Sequence, residues 1–350
     1  FKQKTAYEIM PSLVGSEMCI RDRVIEETLE PDLPICDPHH HLWEFNHARV
    51  AHRYLLDEIL EDLNCGHNVV ATVFIECGAM IDVNNPSPMR MVNETTFVAG
   101  IAAMSSSGLY GNCGVAAAIV GHADLCLGDD VAPILEAHLA AGDGRFRGIR
   151  HSCTWDASAV VPNARCLPVQ HLYRQDSFRQ GFAHLAKYNM SFEGWCYHTQ
   201  IGELTELAEA YSNTTIILDH FGGPVGIGPY EGKLEENFAQ WRADIAELAK
   251  CQNVVAKLGG LNMELNGFGW HEQDRPPTSK ELMEATRPYY EHTIEQFGPD
   301  RCMFESNFPV DMCSCNYNVL WNSFKLLANN YSPSEKAMLF HDTATRIYRL

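Results

Sequence analysis

Histidine, arginine, lysine and carboxylates recur at one kind of place in this 350-residue chain, the downstream ends of short apolar runs. The runs are read at 35–41, 69–77, 115–121, 146–151, 191–198, 215–220, 254–259 and 302–307. They end in His39-His40-His41, Glu76, Gly121-His122, Arg150-His151, His198, Asp219-His220, Lys257 and Glu305-Ser306-Asn307. Charged groups at the ends of apolar strands are expensive to desolvate, so their gathering implies a use. In Asp37-Pro38-His39-His40-His41-Leu42-Trp43, strand alternation puts Asp37, His39 and His41 on one face. Such a histidine pair presents two imidazoles to a divalent metal, or hydrogen-bonds a substrate with no metal at all. The same parity groups Glu305 with Asn307. The donor fork of Arg150 suits a carboxylate or lactone oxygens, the alternative being a salt bridge to a neighbouring strand. Lys257, set inside Val254-Val255-Ala256-Lys257-Leu258, is expected to face inward.

The elements that must position these groups alternate. Helix-period segments fall at 54–64, 131–141, 177–188, 203–211, 238–250 and 280–297, with two more near 318–329 and 334–348. Asp130 is a candidate cap for the segment starting at 131. Most of the runs are nearly continuous in apolar residues, as strands buried on both faces are. Alternating strand and helix units predict an α/β fold with a parallel sheet, closed as a (β/α)8 TIM barrel. The rival, an open doubly wound sheet, lacks a GxGxxG turn after its first strand. In a barrel the polar strand ends converge on one mouth, where catalytic groups sit. The stretch 261–279, with Trp270 and His271, is either a lid over that mouth or a plain surface excursion. The region 86–104 receives no role. Trp43 and Trp195 either line an apolar pocket or fill the core, and core filling is expected for Trp195.

Lysine and arginine number 26 against 45 aspartates and glutamates, a net charge of −19 with histidine neutral. That field disfavours nucleic acid and anionic membrane, whereas a small substrate, even an anionic one, remains compatible through a local arginine. The 13 cysteines are odd in number, show no zinc-ribbon spacing and often sit in apolar runs. This usage fits a reducing, cytoplasmic setting. No apolar stretch approaches the roughly 20 residues that span a bilayer. A homo-oligomer is compatible with everything above.

The chain opens on Phe1, and residues 13–23 match one translated frame of a transposon-end sequencing adapter. Residues 1–23 are therefore read as an artefact or a disordered extension, and 24–350 as a single domain.

Asp37 to Trp43, Phe146-Arg147-Gly148-Ile149-Arg150-His151, Ile216-Ile217-Leu218-Asp219-His220-Phe221-Gly222-Gly223-Pro224 and Arg301-Cys302-Met303-Phe304-Glu305-Ser306-Asn307-Phe308-Pro309-Val310-Asp311 together carry a likeness. In this order, with a closing helix near 340–350, they resemble the amidohydrolase-related family, in its sugar-lactone and pyrone-dicarboxylate lactonase branch. The resemblance runs from about Pro34 to Leu350. It implies that His39 and His41 bind metal or a substrate carbonyl, that His198 completes that cluster beside His220, and that Arg150 contacts substrate; from their own places at strand ends, Glu76, Lys257 and Glu305 are expected to bind substrate too. Many relatives end the last strand Ser-Asp-Trp-Pro; here it reads Ser306-Asn307-Phe308-Pro309. An asparagine cannot accept a proton and is a weaker metal ligand, so a divalent zinc or manganese ion and no cofactor stay equally open. The missing base is sought at Asp311, Glu305, His198 or His220. The expected activity is hydrolysis of a lactone or related cyclic ester. A metal-dependent decarboxylase or lyase is the first alternative, and a degenerate metabolite-binding barrel the second.

Overall fold

The computed structural model describes residues 24–44, 53–166 and 168–350; the suspected artefact at 1–23 lies outside them. Strands β1 (Ile35–His40), β2 (Val69–Ile75), β3 (Gly114–Gly121), β4 (Phe146–Arg150), β5 (Ser191–Gly194), β6 (Ile216–Leu218), β7 (Val254–Leu258) and β8 (Cys302–Phe304) pair in that order. Every pairing is parallel. Closure comes just past the last strand. The Asn307 N–H donates to the His39 carbonyl at 2.9 Å, and the His41 N–H donates to the Phe308 carbonyl at 2.8 Å. The expected (β/α)8 barrel is thus the fold.

Helices follow the strands: α1 (Leu56–Leu63), α2 (Val92–Ser105), α3 (Ala132–Ala141), α4 (Asp176–Lys187), α5 (Ile201–Ala210), α6 (Leu234–Leu248), α7 (Ser279–Phe297) and α8 (Tyr317–Leu327). Two shorter ones, α9 (Pro333–Ala337) and α10 (Thr343–Tyr348), close the chain. One region left without a role proves to be an element, and one local expectation needs correction. Much of 86–104 is α2, whose buried face carries Glu94, Thr95 and Ser105 beside Val98 and Ala102. A helix that buries polar residues shows no apolar stripe, so its period is hidden. Asp130 does not cap α3, because a 3-10 turn (Leu125–Val131) precedes that helix. The cap moves upstream to Asp124, which accepts from the Cys126 N–H at 2.9 Å.

The main core lies between strands and helices and includes Phe74, Phe178, Phe182, Phe192, Trp241 and Trp321. A smaller cluster takes alternate strand positions, Val73, Ile75, Ala118, Val120, Ile217, Val255 and Met303, and is completed by Ala344 and Tyr348 of α10. The Tyr348 hydroxyl donates to Glu193 Oε1 at 2.6 Å, so the last helix reaches the floor of the polar site.

Candidate active site

The site begins where β1 loses its regular register, between Asp37 and His40. Asp37 is spent on architecture: its carboxylate accepts from the Ser306 N–H at 3.0 Å and the Tyr317 hydroxyl at 2.9 Å. Burial raises its pKa to about 6 against those donors. His40 turns away to the Thr72 hydroxyl at 2.9 Å. His39 and His41 meet edge to face with centroids 5.0 Å apart, as strand alternation requires. The His41 Nδ1–H donates to the Ile75 carbonyl at 2.8 Å. A carbonyl only accepts, so His41 keeps its lone pair on Nε2.

His39 is held from several sides. Its Nδ1 lies 2.8 Å from Glu305 Oε2 and 3.2 Å from Lys257 Nζ, and its Nε2 lies 3.3 Å from an Arg150 terminal nitrogen. Burial first, then these cations, holds its pKa well below the usual histidine value.

His220 arrives by a strained turn after β6. His220, Phe221, Gly222 and Gly223 have φ of 51°, 59°, 66° and 46°. Non-glycine residues in this region cost of order 1–3 kcal/mol each, a strain characteristic of working sites. The turn puts His220 Nδ1 2.7 Å from Glu305 Oε1. Gly260, at φ 72°, leaves the room: a Cβ there would collide with the His220 ring. Trp195, expected in the core, is instead half-buried and meets the His220 ring edge-on at 4.8 Å. The turn after β6 brings the imidazole across to it.

Beneath these rings lies a layer of buried charge. Lys257 Nζ is 2.8 Å from Glu193 Oε2 and 3.4 Å from Asp219 Oδ1, and all three side chains are fully buried. Arg150 pairs with Glu76 at 2.8 Å, donates also to the Glu76 carbonyl, and reaches Asp219 at 3.6 Å. Salt bridges therefore exist, but they reach across the barrel to the ends of β2 and β6 and not to a neighbouring strand, and the same fork faces His39. Burial would raise Asp219, but Lys257, His220 and Arg150 overcome it and hold its pKa low. Burial pushes Glu193 the other way, up, against Lys257. Glu193 was missed in the sequence; its signal was a carboxylate inside the apolar run 191–198, the same oddity that marked Lys257.

His198 stands at the margin. The Val225 N–H donates to its Nδ1 at 3.2 Å, its ring meets Tyr230 at 5.0 Å, and burial lowers its pKa. Asp311 does fold back: Asn307 Nδ2 donates to its Oδ1 at 2.8 Å, and the Asn262 N–H to its Oδ2 at 3.2 Å. Burial raises Asp311 to about 7. Asn262 is near the start of the stretch 261–279, which also ties to the loop after β6 through Asn266 Nδ2 and the Pro224 carbonyl at 2.8 Å.

Among the described residues, His39, His220 and Glu305 bring ligand atoms within 4.8 Å of one another. Two imidazoles and a carboxylate fit zinc or a similar divalent ion by donor type. His41 and His198 lie outside that group.

Comparison with known proteins bears on this arrangement. The family model described as amidohydrolase matches residues 36–350. Protein y4mH of Sinorhizobium fredii, uncharacterised, is 32% identical over 337 residues, covering 91% of this chain and 99% of its own length. The L-fucono-1,5-lactonase of Burkholderia multivorans is 25% identical over 327 residues, covering 90% and 95% respectively. A solved amidohydrolase from Burkholderia multivorans with bound zinc superposes with a TM-score of 0.69 at 23% identity, covering 90% of this chain and 99% of that one.

Proposed function

The chain belongs to the amidohydrolase family and is a hydrolase; from that premise we propose that it opens a small lactone or related cyclic ester by attack of water. The observation that carries the reading is the Glu305–His220 pairing at 2.7 Å. With Glu305 accepting from Nδ1–H, the lone pair of His220 sits on Nε2, the tautomer of a general base. Water gives its proton to that nitrogen as its oxygen bonds to the ester carbon. The ring C–O bond then breaks, and the leaving alkoxide takes the proton from His220. Negative charge developing on the carbonyl oxygen is met by Arg150 and Lys257, both kept cationic by buried carboxylates. The lactonase relative at 25% identity supports the substrate class.

A divalent ion would be held by His39, His220 and Glu305 and would supply Lewis acidity to the carbonyl. In that arrangement Asp311 is the carboxylate left to receive the water proton.

The test is proton release in weak buffer across sugar and dicarboxylate lactones, with and without chelator, for the native chain and His220→Asn. The expected result is lactone turnover that survives chelation and falls by ~10²-fold or more in the variant. Turnover lost to chelator and restored by zinc or manganese would reassign His220 and Glu305 as ligands. No turnover on any lactone would sink the proposal.

A further inference from the structure

We propose that Tyr348, on helix α10, is a positioning residue for the reaction: it holds Glu193 so that Lys257 stays aimed at the reacting carbonyl. The carbonyl rests on the lactone reading; the aiming of Lys257 does not.

Tyr348 is fully buried and packs with Ala344 among Val73, Val120, Ile217 and Val255, which come from four different strands. Its backbone is tied to the barrel wall. Arg147 of β4 donates from Nε to the Tyr348 carbonyl at 2.6 Å and from a terminal nitrogen to the Arg349 carbonyl at 3.4 Å. The Leu350 N–H turns back to the Thr345 carbonyl at 3.0 Å, past Arg349 at φ 56°. A ring anchored at its backbone and close-packed around its faces has little freedom to turn.

From that anchor Tyr348 touches both members of one buried ion pair. Its hydroxyl donates to Glu193 Oε1 at 2.6 Å, and Lys257 Nζ lies 5.7 Å from its ring centroid, within reach of a cation–π contact. Burial, then the charge of Glu193, holds the phenol far above its usual value, so the hydroxyl keeps its proton and remains a donor. Glu193 Oε2 is left to Lys257 at 2.8 Å, and on its other side Lys257 Nζ stands 3.2 Å from His39 Nδ1.

Two forces therefore meet at Lys257, and the tyrosine sets their balance. Deprived of the hydroxyl, Glu193 Oε1 becomes a buried acceptor that has lost its donor, and the carboxylate gains by turning both oxygens to the nearest cation. The ammonium is then drawn towards Glu193, away from His39 and from the oxygen whose charge it answers in the transition state. Tyr348→Phe isolates this effect, because it keeps the ring and removes one hydrogen bond.

The test compares Tyr348→Phe with Ala344→Gly, which loosens the same helix and leaves the hydroxyl in place. The expected result for Tyr348→Phe is a kcat on lactone lower by ~10-fold or more with KM within about twofold of native, the mark of an interaction made in the transition state. Ala344→Gly should keep the native rate below its melting transition. Glu193→Gln should also be slow, and adding Tyr348→Phe should slow it no further, since both act through one contact. A second readout needs no substrate: carbon–proton correlation NMR of the full chain with lysine isotope-labelled at Cε, the Lys257 signal being assigned by its loss in Lys257→Arg. That signal should shift in Tyr348→Phe and hold in Ala344→Gly; with the ring retained, the shift reports movement of the ammonium. An unmoved Lys257 signal, an unchanged kcat, a loss that falls on KM, or an equal loss in Ala344→Gly would overturn the proposal. Lactone turnover with an unmoved signal removes the positioning role alone, and a shifted signal with no lactone turned over removes the lactone reading alone.

Discussion

Asn307 cannot take a proton, and the carboxylate that could, Asp311, stands four residues on with its Oδ1 accepting the Asn307 amide at 2.8 Å. When ionised, Asp311 is a pure acceptor and fixes the amide with its nitrogen turned inward; when protonated, it competes as a donor. Burial places that change at about 7, inside the working range. Turnover of the native chain should therefore climb through about pH 7. Asp311→Asn should flatten that limb and lower kcat/KM by ~10-fold. The stability effect has the opposite sense. A carboxylate whose folded pKa is raised loses stability as pH climbs from its unfolded value near 3.8 to its folded one. Above that point the fold carries the full cost, so Asp311→Asn should melt higher than the native chain at pH 8. A variant that melts lower there while keeping its pH profile would show that Asp311 is only a structural acceptor.

Single glycines decide what an element can present. Gly260 follows β7 at φ 72°, and any side chain there meets the ring of His220 from the turn after β6. Gly260→Ala should cost about 1–2 kcal/mol in backbone strain. The displaced imidazole should lower kcat by ~10²-fold, since misplacements of about 1 Å have that effect. Activity near the native level would mean His220 works from another position. The same element-level view shows what could be read in advance. The strands, their order and the convergence of His39, Glu76, Arg150, His220, Lys257 and Glu305 follow from apolar runs ending in charge, because burial on both faces leaves a plain pattern. Helix α2 was illegible because its buried face is polar. Which nitrogen faces which carboxylate was also illegible, since that depends on left-handed turns at His220 and Asn307 that no spacing encodes.

Taken whole, the molecule is acidic outside and histidine-rich inside, and the two features pull stability in different directions. Burial lowers His40, His67 and His138 to about 4 and His39, His41 and His151 well below their usual value. In the unfolded chain these titrate near 6.5, so the unfolded state binds more protons as pH falls below that, and stability drops. Asp37, Asp311, Glu94 and Glu193, all raised by burial, act the opposite way over the same range. The histidines outnumber them, and Asp219, held low by its cations, adds to the acid loss as pH falls towards its own pKa. Above 6.5 the histidine contribution is complete. The remaining raised groups then lose stability with rising pH, joined by His122, which burial lowers but Cys166 and Glu76 bring up to about 9. Each uncompensated proton sets a slope of about 1.4 kcal/mol per pH unit. A melting series from pH 4.5 to 9 should peak near pH 6.5–7, with the acid side the steeper. A maximum at pH 5 would mean that the buried carboxylates, and not the histidines of β1 and its neighbours, govern how this barrel responds to acid.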